Sequence, residues 1–270
     1  MAIHNDPAAT IMSMSARHWG ALWSKRPRAW ALNEQQHAPV YEQTLRQVGL
    51  ERGDRVLDLG CATGVFLQMC ADREAIVAGV DASAGLLALA RARVGGADLR
   101  VADLQTLPYA DDSFDLVTGF RSFFFADDVV AALREARRVA RPDAHVVIQV
   151  FGRPEHCDLE AVKDAAAQIG AAPPSDERER AQWRPIVEEL ARRAGLAVEH
   201  SFEITSTSTY ADDAAVLDAM LAAVPGMAAI AGPEKEPELH VAILRALAHR
   251  RRPEGSYRIL NRWHTVIARA

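Results

Sequence analysis

A chain of 270 residues, 49% hydrophobic and 25% charged, can bury one sizeable core and a small accessory lobe. Its net charge of −5 supplies no basic excess to attract a nucleic-acid backbone. Cys61, Cys70 and Cys157 form no CxxC and no paired spacing, which argues against a disulfide scaffold or structural zinc and fits a reducing, cytoplasmic setting.

The amino terminus lacks the basic-then-apolar pattern of a secretion signal. Up to residue 50 the chain reads as helical and rich in tryptophan. APVYEQTLRQVGL, from Ala38, sets Val40, Thr44, Leu45 and Val48 near one face and stops at Gly49. From residue 54 strand and helix patterns alternate. RVLDLG is the first strand, followed by a helix over about 64–72. AIVAGV is the second strand, ending at Asp81, and SAGLLALARARV is a helix closed by Gly95 and Gly96. LRVADL is the third strand, and DDSFDLVTGF is a turn leading into the fourth. Val129, Leu133, Ala136 and Val139 stripe the next helix, which Pro142 terminates; HVVIQVF is the fifth strand. Short apolar strands separated by helices predict an α/β fold with a doubly wound, mostly parallel sheet covered on both faces.

Beyond Phe151 the pattern loosens. A helix is expected over about 159–169, a loop at AAPPSDERER, and a helix in WRPIVEELARRAGL ending at Gly195. VEHSFEITSTSTY alternates like a half-exposed strand, residues 211–250 look helical, and SYRILNRWHTVIARA suits a final strand. AAVLDAMLAAVPGMAAIAG approaches membrane length, but Asp218, Pro225 and Gly226 interrupt it, so two packed helices are expected. HRRRPEG, the nearest thing to a basic cluster, reads as a solvated helix end. The expected organisation is a helical lid over 1–50, a core over 51–206 and 256–270, and a helical lid insertion over 207–255.

Ligands of open α/β sheets sit beyond the carboxyl ends of the strands. RVLDLGCATG ends the first strand with Asp58 and a turn through Gly60 and Gly64. Dinucleotide folds prefer GxGxxG there, to rest a pyrophosphate on the helix amino terminus. A carboxylate beside a pyrophosphate is repelled, so DxGxxxG favours a cationic, phosphate-free ligand. Asp81 ends the second strand, where a carboxylate can accept both ribose hydroxyls. Asp103 ends the third, where it can accept an adenine amino group with Leu104 covering a ring face.

VLDLGCATG, VAGVDAS, VADLQTLPYADDSFDLVTGF and REARRVARPDAHVVIQVF resemble the successive motifs of class I S-adenosylmethionine-dependent methyltransferases, and within them the ubiquinone/menaquinone-type and small-molecule group. The resemblance is strong over 50–152 and weak in the lids. It implies the strand order 3-2-1-4-5-7-6 with strand seven antiparallel. It also implies S-adenosylmethionine as cofactor, held at Asp58, Gly60, Cys61, Ala62 and Gly64, at Asp81 and Ala82, at Ala102, Asp103 and Leu104, and at Gly119, Phe120 and Arg121. Gly60 and Cys61 would supply backbone contacts, and Trp30, in RAWALNEQ, would approach the cofactor. Three features depart from the pattern: Ala62 lies where the family commonly has glycine and is expected to fit only with negative φ; VARPDAH lacks the usual glycine pair after proline, at a turn distant from the site; and Arg121 replaces a frequent asparagine. A charge at Arg121 facing inward would repel a sulfonium, so it is expected to turn outward; the alternative is that it binds an acidic substrate.

The implied reaction is methyl transfer to a small molecule acting under the lids, without nucleic-acid, membrane or metal partners, by a monomer or homodimer. Alignment carries most of that chemistry, and a base is needed only where the acceptor must lose a proton. His18, His156 and Tyr210 are weak catalytic candidates. A non-catalytic cofactor-binding module and, less favoured, a nicotinamide-dependent oxidoreductase are the competing readings.

Overall fold

A computed structural model describes residues 12–34, 37–172 and 184–270. Seven strands form one sheet in the order β3-β2-β1-β4-β5-β7-β6. They are β1 (Arg55–Leu59), β2 (Ile76–Asp81), β3 (Asp98–Val101), β4 (Phe114–Phe120), β5 (Ala140–Phe151), β6 (Ala197–Tyr210) and β7 (Tyr257–Arg269). Pairing is parallel from β3 through β5, and β7 runs antiparallel to both β5 and β6. Alternate residues of each strand face opposite layers. Val56, Leu116, Val147 and Ile267 meet α3 (Ala38–Val48), α4 (Val65–Ala71) and α5 (Ala84–Arg93). Leu57, Val117, Val146 and Ile148 meet α6 (Val129–Val139) and α8 (Arg184–Arg193). Burial on both faces explains why the strands read as apolar runs.

Local chemistry sets the helix starts. Ser83 caps α5 by accepting the Leu86 N–H at 3.1 Å, and Asp128 caps α6 by accepting that of Ala131 at 3.0 Å. α4 begins at Gly64, whose φ of 78° is left-handed. Leu133, Ala136 and Val139 of α6 are buried as expected; at its start Val130 is buried instead of Val129, which is half-buried. The expected turn at ARPDA is instead the start of β5. Ala140 pairs with Phe114 and His145 with Leu116, so residues 141–144 bulge out of the β4 ladder. The missing N–H of Pro142 therefore breaks no bond to β4.

A third apolar cluster packs α7 (Asp158–Gln168), α9 (Asp213–Ala223) and α10 (Pro225–Ala246) over Tyr257 and Ile259 of β7. α10 is broken at Gly232. Two further helices, α1 (Met14–Trp23) and α2 (Pro27–Glu34), precede the sheet. Among the described residues no single helix is long and apolar enough to cross a membrane; α9 and α10 meet at 118°. Arg250, of the cluster expected to be solvated, instead donates to buried Asp158 at 2.9 Å. Most of the expected loop at AAPPSDERER lies outside the described residues.

All three cysteines are buried, and burial pushes their thiols above the usual range. Cys61 fills the space over Gly79 of β2: a Cβ on that glycine would meet the Cys61 Sγ at 2.7 Å and the Leu67 Cδ1 at 2.8 Å. Gly79→Ala is expected to destabilise the fold by ~1–3 kcal/mol through overpacking, read as a lower urea midpoint.

Candidate functional site

The carboxyl ends of β1, β2, β3 and β4 open onto a cavity of about 310 Å³. α1, α2 and α9 close it with Trp19, Trp23, Trp30 and Met220, and the end of β6 and the middle of β7 add Tyr210 and Trp263. The wall is largely aromatic and apolar, with a few polar groups converging on it.

The turn after β1 spends every amide from Gly60 to Gly64 inside the protein. The Gly60 and Cys61 N–H groups donate to the Val80 carbonyl at 2.8 and 3.0 Å, and that of Gly64 to the Cys61 carbonyl at 2.9 Å. The Ala62 N–H donates to Asp81 Oδ2 at 2.9 Å. Thr63 gives its N–H (3.0 Å) and hydroxyl (2.6 Å) to Glu34 Oε2. A phosphate cradle needs free N–H groups pointing at the ligand, and this turn has none. The backbone donors expected at Gly60 and Cys61 are consumed in the same way, which leaves the turn to present surface and carbonyl oxygen. Gly60 has φ 76°, and a Cβ there would lie 2.5 Å from the Ser122 Cβ, so only glycine lets β1 and β4 end this close together. Ala62 departs from its expected negative φ: its φ is 47°. The Asp81 bond holds that peptide in place against the ~1–2 kcal/mol that a Cβ costs in the left-handed region.

Asp81 and Asp103 both reach the cavity. Asp81 accepts the Ser83 N–H at 2.8 Å through Oδ1 and the Ala62 N–H through Oδ2, which leaves each oxygen a lone pair for a diol. Burial pushes its carboxyl up to about 6, against the pull of those two N–H groups. Asp103 accepts the Gln105 N–H at 2.9 Å and the Ser13 N–H at 2.8 Å, so the start of α1 is tied to the tip of β3. Ala82, Ala102, Leu104 and Phe120 line the same wall.

Asp58 does not line the cavity. It accepts the Thr118 hydroxyl at 2.7 Å and is 3% exposed, and burial holds its carboxyl well above the usual range. Cys61 points back into the sheet packing, Gly64 lies against Ala90 and Val94, and Gly119 lies against Phe123, all away from the wall. Of the expected catalytic residues, Tyr210 lines the cavity and donates to Asn33 Oδ1 at 2.7 Å. His18 is exposed beside Trp19, and His156 lies 3.1 Å from the Arg262 guanidinium; neither lines the cavity.

Arg121 does not turn outward as expected. It lines the cavity, with its Nη1 donating to His37 Nε2 at 2.9 Å and its guanidinium 4.6 Å from the Trp263 ring centre and 5.7 Å from that of Trp30. The indole faces supply cation–π attraction that exposed solvent does not. Its φ of 61° aims the side chain inward. Burial, and then the Arg121 charge, hold the His37 imidazole well below its ordinary range, so it is neutral and accepts at Nε2. Sequence reasoning missed Glu34, His37 and Trp263. RAWALNEQ had pointed at Trp30, and Glu34 lies in that same stretch, but its pairing with Thr63 joins residues 29 positions apart and leaves no local pattern.

Residues 57–148 match the family described as Methyltransferase domain. The chain is 35% identical over 119 residues to the demethylmenaquinone methyltransferase of Beutenbergia cavernae, a match covering 44% of this chain and 50% of that protein. It is 39% identical over 123 residues to the malonyl-[acyl-carrier protein] O-methyltransferase of Halorhodospira halophila, covering 43% and 40%. The chain thus spans about half, or less, of the length of these curated relatives. An S-adenosylmethionine dependent methyltransferase from Mesorhizobium loti superimposes with a TM-score of 0.51 at 22% identity over 87% of this chain and 98% of that one, a likeness of fold.

If Asp81 holds a ribose, as the resemblance implies, nucleoside binding depends on pH. A ribose diol needs the ionised carboxylate, which is lost as pH falls through about 6. Adenosine affinity is expected to be flat above that value and to fall roughly tenfold per pH unit below it. Titration calorimetry across the range checks this, and Asp81→Asn should flatten the profile.

Proposed function

We propose that this chain, whose residues 57–148 match the family described as Methyltransferase domain, is a class I, S-adenosylmethionine-dependent methyltransferase that transfers a methyl group to a small-molecule acceptor held under its helical lids. The observation that carries this reading is the turn of 60–64, with its amides paired internally and two of them held by the carboxylates Asp81 and Glu34. Such a turn offers an anion nothing and suits a nucleoside without phosphate. The nicotinamide reading loses its support at the same place, because a diphosphate would find no donor there.

The residues fit that cofactor. Asp81 has acceptor capacity for a ribose, and Asp103 lines the cavity beside apolar Leu104 and Ala102, a combination of polar edge and apolar surface that suits an adenine. The Trp30 Nε1 and Ser122 Oγ are buried without a partner in residues that line the cavity, as donors awaiting a ligand would be. When bound, S-adenosylmethionine supplies an electrophilic methyl group on a sulfonium, whose departure leaves a neutral thioether. The protein's part is to hold the acceptor in line with that methyl and to keep water out. Trp19, Trp23, Trp30 and Phe125 wall off solvent, with ring centres 4.8 Å apart for Trp19–Phe125 and 5.0 Å for Trp23–Trp30. Proximity and orientation of this kind contribute up to ~7–11 kcal/mol to the barrier reduction. Tyr210 already gives its proton to Asn33, and His37 already accepts from Arg121, so both act here as orienting groups. An acceptor that arrives ionised needs no base from the chain.

Calorimetry with S-adenosylmethionine, S-adenosylhomocysteine and NAD tests the reading: the two sulfur nucleosides should bind and NAD should not. Asp81→Ala should weaken S-adenosylhomocysteine binding by ~1.5–3 kcal/mol, the worth of hydrogen bonds to a charged group. Labelled S-adenosylmethionine incubated with a metabolite extract should pass its methyl label to a small molecule. Preferential binding of NAD would falsify the assignment.

A further inference from the structure

Arg121 is a positive charge set into an aromatic wall. Among the described residues it forms no ion pair within 4.0 Å. Its guanidinium hydrogen-bonds a neutral imidazole and the un-ionised Tyr41 hydroxyl, neither of them a counter-charge, and its Nε is buried without an acceptor. The nearest acids are engaged elsewhere: Glu34 Oε2 takes both Thr63 donors, and Asp58 Oδ1 takes the Thr118 hydroxyl. Those two acids feel the Arg121 charge through space only. A guanidinium taken from water in this way is left short of a counter-charge, and the stacking with Trp263 and Trp30 offsets that only in part.

The arrangement also fixes where a counter-charge would sit. Trp263 and Trp30 hold the guanidinium by its faces, and His37 takes Nη1. Nε itself is sealed off, so a counter-charge would meet the part of the guanidinium that faces the cavity, which Arg121 lines. A guanidinium edge matches a carboxylate or another anionic oxygen better than any neutral group. The surrounding wall of indole and phenyl rings accepts a flat apolar body. We propose that Arg121 is the specificity anchor of the acceptor subsite, and that the acceptor is an aromatic or similarly flat molecule bearing an anionic oxygen, a carboxylate or an ionised hydroxyl. This rests on the methyl-transfer reading of the same cavity. It explains how a fixed cation is tolerated where a sulfonium is to bind: one anionic acceptor lies against both positive charges.

The test measures binding rather than turnover. Benzoate, phenylacetate and 1-naphthoate are titrated against their neutral amides at pH 7, with and without S-adenosylhomocysteine, following the tryptophan fluorescence of the wild-type chain, Arg121→Lys and Arg121→Met. The wild type should bind at least one carboxylate roughly tenfold or more tighter than its amide. Arg121→Lys should keep the sign of that preference, and Arg121→Met should lose it while retaining S-adenosylhomocysteine affinity. Amides that bind the wild type as tightly as the acids, or a preference that survives in a folded Arg121→Met, would overturn the proposal. So would a wild type that binds none of the three acids. If the carboxylate preference is found but S-adenosylhomocysteine does not bind, the anchor stands and the methyl-transfer reading fails.

Discussion

Two carboxylates, Asp81 and Glu34, hold the bend after β1 by taking its amide protons. Asp81 comes from the neighbouring strand and Glu34 from α2, so the bend joins the sheet to the amino-terminal helices. Its other amides close on Val80 and Cys61. The electrostatic character of the cavity follows. A bend whose donors are all committed offers an anion no N–H, and Asp81 beside it presents a carboxylate to the cavity, which suits ligands that donate hydrogen bonds. The acids are buried and raised in pKa, so their attraction is tunable by pH in a way that backbone donors are not.

The lids complete this base. Asp103 ties the start of α1 to the tip of β3, Tyr210 ties the end of β6 to Asn33 of α2, and Trp263 of β7 stacks on Arg121. Elements from both ends of the chain therefore converge on the strand ends. The pocket is assembled from pieces more than 200 residues apart, and its aromatic walls come from the amino-terminal helices, β6 and β7 as well as from the ends of β4 and β5.

That division explains what was legible beforehand. The core announced itself because a strand buried on both faces must be apolar and glycine or proline marks where a helix ends, which are local requirements. The strand-end acids Asp81 and Asp103 were legible for the same reason. The inward turn of Arg121 was not. Its direction depends on a φ of 61° and on two indoles contributed by α2 and β7. Asp58 was read as a ligand-facing group, yet Thr118 on the adjacent strand, 60 positions away, draws it beneath the wall. The ARPDA stretch looked like a turn because Pro142 follows a helix, and only the register of β4 makes it a bulged strand. In each case the deciding partner is distant in sequence, and no pattern of spacing carries it.

Cys61 gives this architecture a built-in clock. Its sulfur is sealed beneath the bend against Gly79, and its thiol is held protonated by the surrounding apolar packing and the neighbouring acids. An alkylating reagent can react only during moments when the bend lifts from β2. The slow loss of that thiol thus counts openings of the nucleoside floor, and any occupant that braces the floor should lengthen the interval between them.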